Sequence, residues 1–200
     1  MHISDGILSS EVAITTAVIT AGLVMYSLKN LKSKNIALVS AMSAVFFIAS
    51  FIHIPLGPTQ IHLILIGIIG ILIGPCVFLS ILIALLFQAV LLGYGGITSL
   101  GANVIIMSLP AYITYLVVKK GWFDRLSEKI KYFAIGFFPV LLSTFLLALI
   151  LSLSKKEYLY ASVTIFLANV PAMFIEGVIT LFLINYLKKS SPELLKEVNL

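Results

Sequence analysis

Three histidines, His2, His53 and His62, are the side chains of this 200-residue chain best suited to bind a transition metal, and His2 directly follows the amino-terminal Met1. A free amine on Met1, the amide nitrogen between the first two residues and the His2 imidazole can close five- and six-membered chelate rings around one cation. A further imidazole, from His62 or His53, would complete a four-nitrogen plane, a geometry that nickel and copper accept. All these donors must be deprotonated to bind, so affinity should fall with pH. Asp5, followed by the turn-permissive Gly6, is a candidate to orient an imidazole N–H from behind. Blander roles stand beside these: His2 as an accident of sequence, His53 and His62 as interfacial residues bonded to loop carbonyls, and Asp5 as part of a solvated cap. The bulky residue after the initiator methionine implies that Met1 is kept. The start MHISDGILSS lacks the basic region and cleavage site of a signal peptide, so the N-terminus is expected to be retained.

The elements that must position these residues are membrane helices. With 60% hydrophobic and 10% charged residues, the chain is too apolar for a wetted surface, and a lipid bilayer is its expected solvent. A helix satisfies its own backbone in lipid and needs roughly 20 apolar residues to cross, so the length allows at most about seven spans. Apolar runs predict helices at 12–28, 36–52, 61–73, 76–92, 100–118, 133–153 and 159–187. Gly74-Pro75 separates the short third and fourth runs, which leaves residues 61–92 as either two helices or one kinked helix.

Charge placement favours seven. Lys29, Lys32 and Lys34 follow the first run, Lys119, Lys120, Arg125, Lys129 and Lys131 the fifth, and Lys188, Lys189 and Lys196 the last, leaving Lys155 and Lys156 opposite. The positive-inside rule then puts the N-terminus outside and the C-terminus in the cytoplasm. The expected fold class is therefore an all-α, multi-pass integral membrane protein of about seven helices. It forms a single domain over 1–200, with an outer N-terminal segment at 1–10 and a cytoplasmic tail at 188–200. This topology gathers residues 1–10, 53–62 and 93–99 at one end, with His2, His53, His62, Asp5, Thr59, Gln60, Tyr94 and Thr98 among them and Gln88 and Asn103 in the adjoining helix ends. The basic clusters serve as topology anchors, and no nucleic-acid partner is expected. Cys76 has no partner for an intramolecular disulfide. Glu176 lies about midway along the last run, where a carboxylate usually faces a partner or a cavity, either in a helix–helix hydrogen bond or in a coupling role.

Five stretches, MHISDGILS at the start, HIPLGPTQIHLILIGIIGILIGP at 53–75, LLFQAVLLGYGGITSLGAN at 85–103, VPAMFIEGVITLFLINYL at 170–187 and the tail SPELL, resemble in order the NikM/CbiM family. These are the substrate-binding membrane subunits of nickel and cobalt energy-coupling-factor transporters. The resemblance implies uptake of a divalent ion across the cell (inner) membrane, with no permanently bound cofactor. It implies a ligand set of Met1 (amine), His2 (amide and side chain) and His62, with His53, Asp5, Asn103, Gln88 and Thr59 as supporting residues behind them. Where the family often carries a histidine, this chain has Tyr94. The implied partners are a transmembrane coupling subunit, two ATPase subunits and a small accessory membrane subunit.

The chain has no G-x-x-x-x-G-K-[ST] loop and no H-E-x-x-H helix, so it is expected to be no enzyme and to draw work from its partners. The alternative is an ATP-independent carrier or channel, but Glu176 is the only deeply placed carboxylate to line a pathway. The four-nitrogen plane favours nickel over cobalt, and the opening D-G-x-L-S resembles the nickel-type members of the family more than the cobalt-type ones.

Overall fold

The computed structural model describes residues 2–56, 59–155, 157–198 and 200, with the backbone alone for 53–56, 59–61 and 197. Seven α-helices are formed among the described residues: α1 (Ser10–Asn30), α2 (Ile36–Ala49), α3 (Ile66–Ile73), α4 (Val77–Phe87), α5 (Leu100–Lys119), α6 (Glu128–Ser154) and α7 (Tyr158–Ser190). Four of them, α1, α5, α6 and α7, are each long and apolar enough to cross a membrane. A further apolar stretch, Ile66–Leu92, contains α3, α4 and a wide π-turn at Gln88–Leu92.

That stretch reverses direction, which settles it as two helices. Descending α3 places Gly70 against Ala111 and Gly74 against Tyr115 of α5. After Gly74 (φ +50°) and Pro75, the Phe78 ring lies 5.2 Å from Tyr112, one turn back along α5. Glycine supplies the positive φ and proline cannot continue the helix, so the sharp turn follows from those two residues. At eight residues, α3 is only about 12 Å long, and it is a half-helix whose first residue, Ile66, is completely buried.

The direction of the remaining helices follows from their contacts. α1 and α5 run side by side in the same sense: Gly101 packs on Ala17, Thr20 donates to the Gly101 carbonyl (2.8 Å), and the Tyr26 and Tyr112 hydroxyls meet at 2.8 Å. α6 and α7 are antiparallel, with Ser152 and Ser162 3.3 Å apart at one end and Lys188 donating to Tyr132 (2.6 Å) at the other. Small residues permit these close approaches, as expected where lipid offers no hydrophobic drive between helices. Gly67 lies on the Ile135 carbonyl, and Gly136 on the Glu176 carbonyl.

The chain thus alternates up and down, with the segment before α1 and the tail after α7 at opposite ends. Lys32, Lys34, Lys119 and Glu193 line one cavity of about 470 Å³ at the end that carries the C-terminal tail. Nearby, Lys188 pairs with Glu128 (2.8 Å) and Lys131 with Asp124 (2.6 Å). α6 and α7 extend past the predicted 133–153 and 159–187 because charged residues beyond each apolar run continue the helix into the interface, where these pairs hold them.

The largest departure from expectation lies between α2 and α3. The third helix was expected from residue 61, but His53–Leu56 and Thr59–His62 form an antiparallel hairpin that pairs His53 with His62, and helix begins only at Ile66. This hairpin holds the only strands among the described residues.

Candidate metal centre

The N-terminal segment is built into the protein through its backbone. Ile3 donates its N–H to Asn103 Oδ1 (2.9 Å), and Asn103 Nδ2 donates back to the Ile3 carbonyl (2.9 Å), which also accepts from the Ser99 hydroxyl (2.6 Å). A primary amide presents a donor and an acceptor side by side, as a neighbouring strand would, so one Asn in the first turn of α5 satisfies both main-chain groups of Ile3. The Ile3 side chain is buried in the core. Further along, the Ser9 N–H donates to Ser154 Oγ (2.6 Å), tying the segment to the end of α6.

The loop 93–99 shapes the other wall. Asp5 Oδ1 accepts from both the N–H (2.9 Å) and the hydroxyl (2.6 Å) of Thr98, and the Thr98 hydroxyl is the main reason its carboxyl is held below the usual range. Gly95 (φ +75°) and Gly96 are required here. A Cβ at Gly96 would overlap the Asp5 carboxylate, and one at Gly95 would press on Asn103 Nδ2 at 3.0 Å and approach His2 Cβ at 3.7 Å.

Within this frame His2 meets His62. Their rings are stacked, with centroids 5.2 Å apart and planes 6° from parallel. Both ring nitrogens of His2 are shielded from solvent and have no hydrogen-bond partner among the described residues. Buried polar atoms are normally paired, so both nitrogens of this imidazole are open to a partner beyond the described residues. Burial above all, then the positive charge of the chain's own amino end and of His62, pushes the His2 pKa from 6.5 to about 2. The ring is therefore neutral, the form that binds metal. His62 Nδ1 lies 3.3 Å from the Leu63 carbonyl. Among the described residues there is no cluster of three or more His, Cys, Asp or Glu, and the imidazoles brought together there are those of His2 and His62.

The other expected residues are placed as follows. Asn103 reaches the site as the clamp on Ile3. Asp5 is engaged with Thr98, and no hydrogen bond joins it to an imidazole among the described residues. Gln88 is completely buried in the π-turn; its side-chain amide has no partner among the described residues, while its carbonyl accepts from Tyr94 N–H (3.2 Å). Met1 and the side chains of His53 and Thr59 lie outside the described residues.

Two supports were not foreseen. Ser99 carries no sequence signal beyond its place before α5. Glu176 binds main chain rather than a side chain among the described residues. Its carboxylate accepts from the main-chain N–H groups of Ile64 (2.5 Å to Oε1) and Leu65 (3.2 Å to Oε1, 3.1 Å to Oε2), at the start of α3.

Comparison with known proteins gives consistent relatives. The sequence model of a family described as "Cobalt uptake substrate-specific transmembrane region" matches residues 2–194. A Haemophilus influenzae protein whose name assigns it to metal transport is 31% identical over 98% of this chain and 97% of its own length. The cobalt transport protein CbiM of Kyrpidia tusciae is 30% identical over 98% of this chain and 86% of its own. Among solved structures, a crystal structure of a transition metal transporter superposes with a TM-score of 0.82 at 22% identity, covering 98% of this chain and 97% of that one. At that identity it shows a shared fold.

Proposed function

The chain belongs to the CbiM family of cobalt uptake substrate-specific transmembrane regions, and from that premise we propose that it captures a nickel or cobalt ion between its N-terminus and His62. The observation that carries this is the His2–His62 stack with both His2 nitrogens buried and unpartnered. The ion is cargo. It is held by the Met1 amine, the His2 amide and imidazole, and the His62 imidazole, four nitrogens that together suit a square plane.

A four-nitrogen plane ranks nickel ahead of cobalt in the usual affinity order. Asn103 and Asp5 act behind the ligands, holding the segment that carries His2. The end bearing the basic clusters faces the cytoplasm by the positive-inside rule, which turns the metal centre outward. Capture therefore occurs at the outer face of the cell membrane. Because the sequence has no phosphate-binding loop, work comes from other chains. We assign that role to a transmembrane coupling subunit with two ATPase subunits, and a small accessory membrane subunit is compatible with the same arrangement.

Calorimetric titration of the purified protein with nickel and cobalt salts tests the reading. Replacing His2 with Ala, or placing one residue before Met1, abolishes binding while the protein still elutes as a folded species. Unchanged affinity in both variants would refute it.

A further inference from the structure

Leu65 is the only non-glycine residue with a positive φ (+52°, ψ +22°) among the described residues, and it stands just before α3. A left-handed leucine is disfavoured by its Cβ, and it persists only where surrounding contacts over-determine it. Among those contacts are the hydrogen bonds of one side chain. Glu176, 1% exposed on α7, takes the N–H groups of both Ile64 and Leu65. Those groups, at the positive end of a helix, are where a carboxylate is stabilised.

The surroundings leave this junction little freedom. Gly67 lies on the Ile135 carbonyl of α6, Gly70 on the Ala111 carbonyl of α5, and Gly136 on the main chain of Glu176 itself. α3 is thus wedged between α5 and α6, and α7 holds the two residues that precede it. His62 precedes Ile64 by two residues, which span at most about 7 Å of chain. The chain that carries His62 is therefore held on both sides, by its pairing with His53 in the hairpin and by the carboxylate at the Ile64–Leu65 junction, much as Asn103 holds His2 through Ile3.

We infer that Glu176 is a positioning residue for the metal centre, which sets where His62 stands opposite His2 by gripping the main chain between His62 and α3. This rests on the assignment of His62 as a ligand. It gives the two halves of the centre equivalent supports. Each is an amide or carboxylate from a helix remote in sequence, bound to backbone within three residues of a ligating histidine.

Nickel chloride titrations of the full-length protein in detergent test it, with Glu176→Ala, Glu176→Gln, Glu176→Asp and His62→Ala compared by calorimetry, by the visible absorption of bound nickel and by thermal melting of the metal-free form. Supporting groups behind metal ligands typically contribute 10- to 100-fold in affinity. Glu176→Ala should lose about that much and alter the nickel spectrum at saturation. Glu176→Gln, which keeps one acceptor oxygen, should fall between Ala and the native protein. Glu176→Asp, retracted by one methylene, keeps the charge but should shift the spectrum, and it carries the same test if the other two do not fold. Glu176 variants that melt lower yet bind nickel with native affinity and spectrum would overturn the inference, since Glu176 would then be a structural prop alone. Native affinity in His62→Ala would overturn the ligand assignment instead, a different result.

Discussion

Asn103 grips Ile3 with both ends of its side-chain amide, so the residue after His2 is held as a strand partner would hold it, by a single residue one hundred positions away. The pairing turns the N-terminal segment from a tail into part of the protein interior. It predicts that Asn103→Asp, which keeps an acceptor and loses the donor, weakens nickel or cobalt binding about 10- to 100-fold. Asn103→Leu should do more, because a buried main-chain group left unpaired costs about 1–3 kcal/mol. Calorimetry on both variants, with hydrogen exchange at the Ile3 amide, checks this. Native affinity with fast exchange would separate the clamp from the site.

Gly96 sits where the Asp5 carboxylate needs room, and Gly95 holds a left-handed turn. Gly96→Ala should expel Asp5 from Thr98, and Gly95→Ala should strain the backbone by about 1 kcal/mol. The first should reduce metal affinity with a small change in melting temperature, because the lost hydrogen bonds lie in an exposed loop. A large drop in melting with native binding would contradict it.

The fold constrains the pH response of the apo segment. His2 is neutral when docked, with a pKa near 2, and takes up a proton near 6.5 once released. The released state therefore binds more protons below 6.5, so docking is at full strength above that pH and weakens as pH falls toward 2. Hydrogen exchange over residues 2–9, corrected for intrinsic rates, should show protection at pH 7.5 and loss of it at pH 5. His2→Asn should flatten the difference. Equal protection at both pH values in the native protein would rule the mechanism out.

Gly67 has the tightest fit of the half-helix, against the Ile135 carbonyl. Gly67→Ala should force α3 off α6 and cost about 1–3 kcal/mol, read as a lower melting temperature in detergent. An unchanged melt would mean that α3 is not wedged as described.

Much of this was legible in the sequence because membrane helices announce themselves by length and apolarity. The seven runs, and the gathering of residues 2–9, 62 and 93–103 at one end, followed from counting spans and placing lysines. Gly74-Pro75 marked a break, and only the return of Phe78 to Tyr112 showed it to be a reversal. The start of α3 was misplaced by five residues because Ile61, Leu63, Ile64 and Leu65 are as apolar as the helix they precede. What keeps 64–65 out of the helix is a carboxylate on α7, a tertiary contact with no local trace. Asn103 was recognised as a supporting residue by resemblance, but its partner is the main chain of Ile3, and any residue there except proline would offer the same groups. For Gln88 the structure gives burial and an unpartnered amide among the described residues, with no link to the histidines.

The central claim, that His2 and His62 jointly hold the transported ion, is tested most directly by X-ray absorption of the nickel-loaded protein. The account predicts four nitrogen neighbours with the outer-shell scattering of two imidazoles, falling to one imidazole in His62→Ala. A shell of six oxygens, or a spectrum that His62→Ala leaves unchanged, would contradict it.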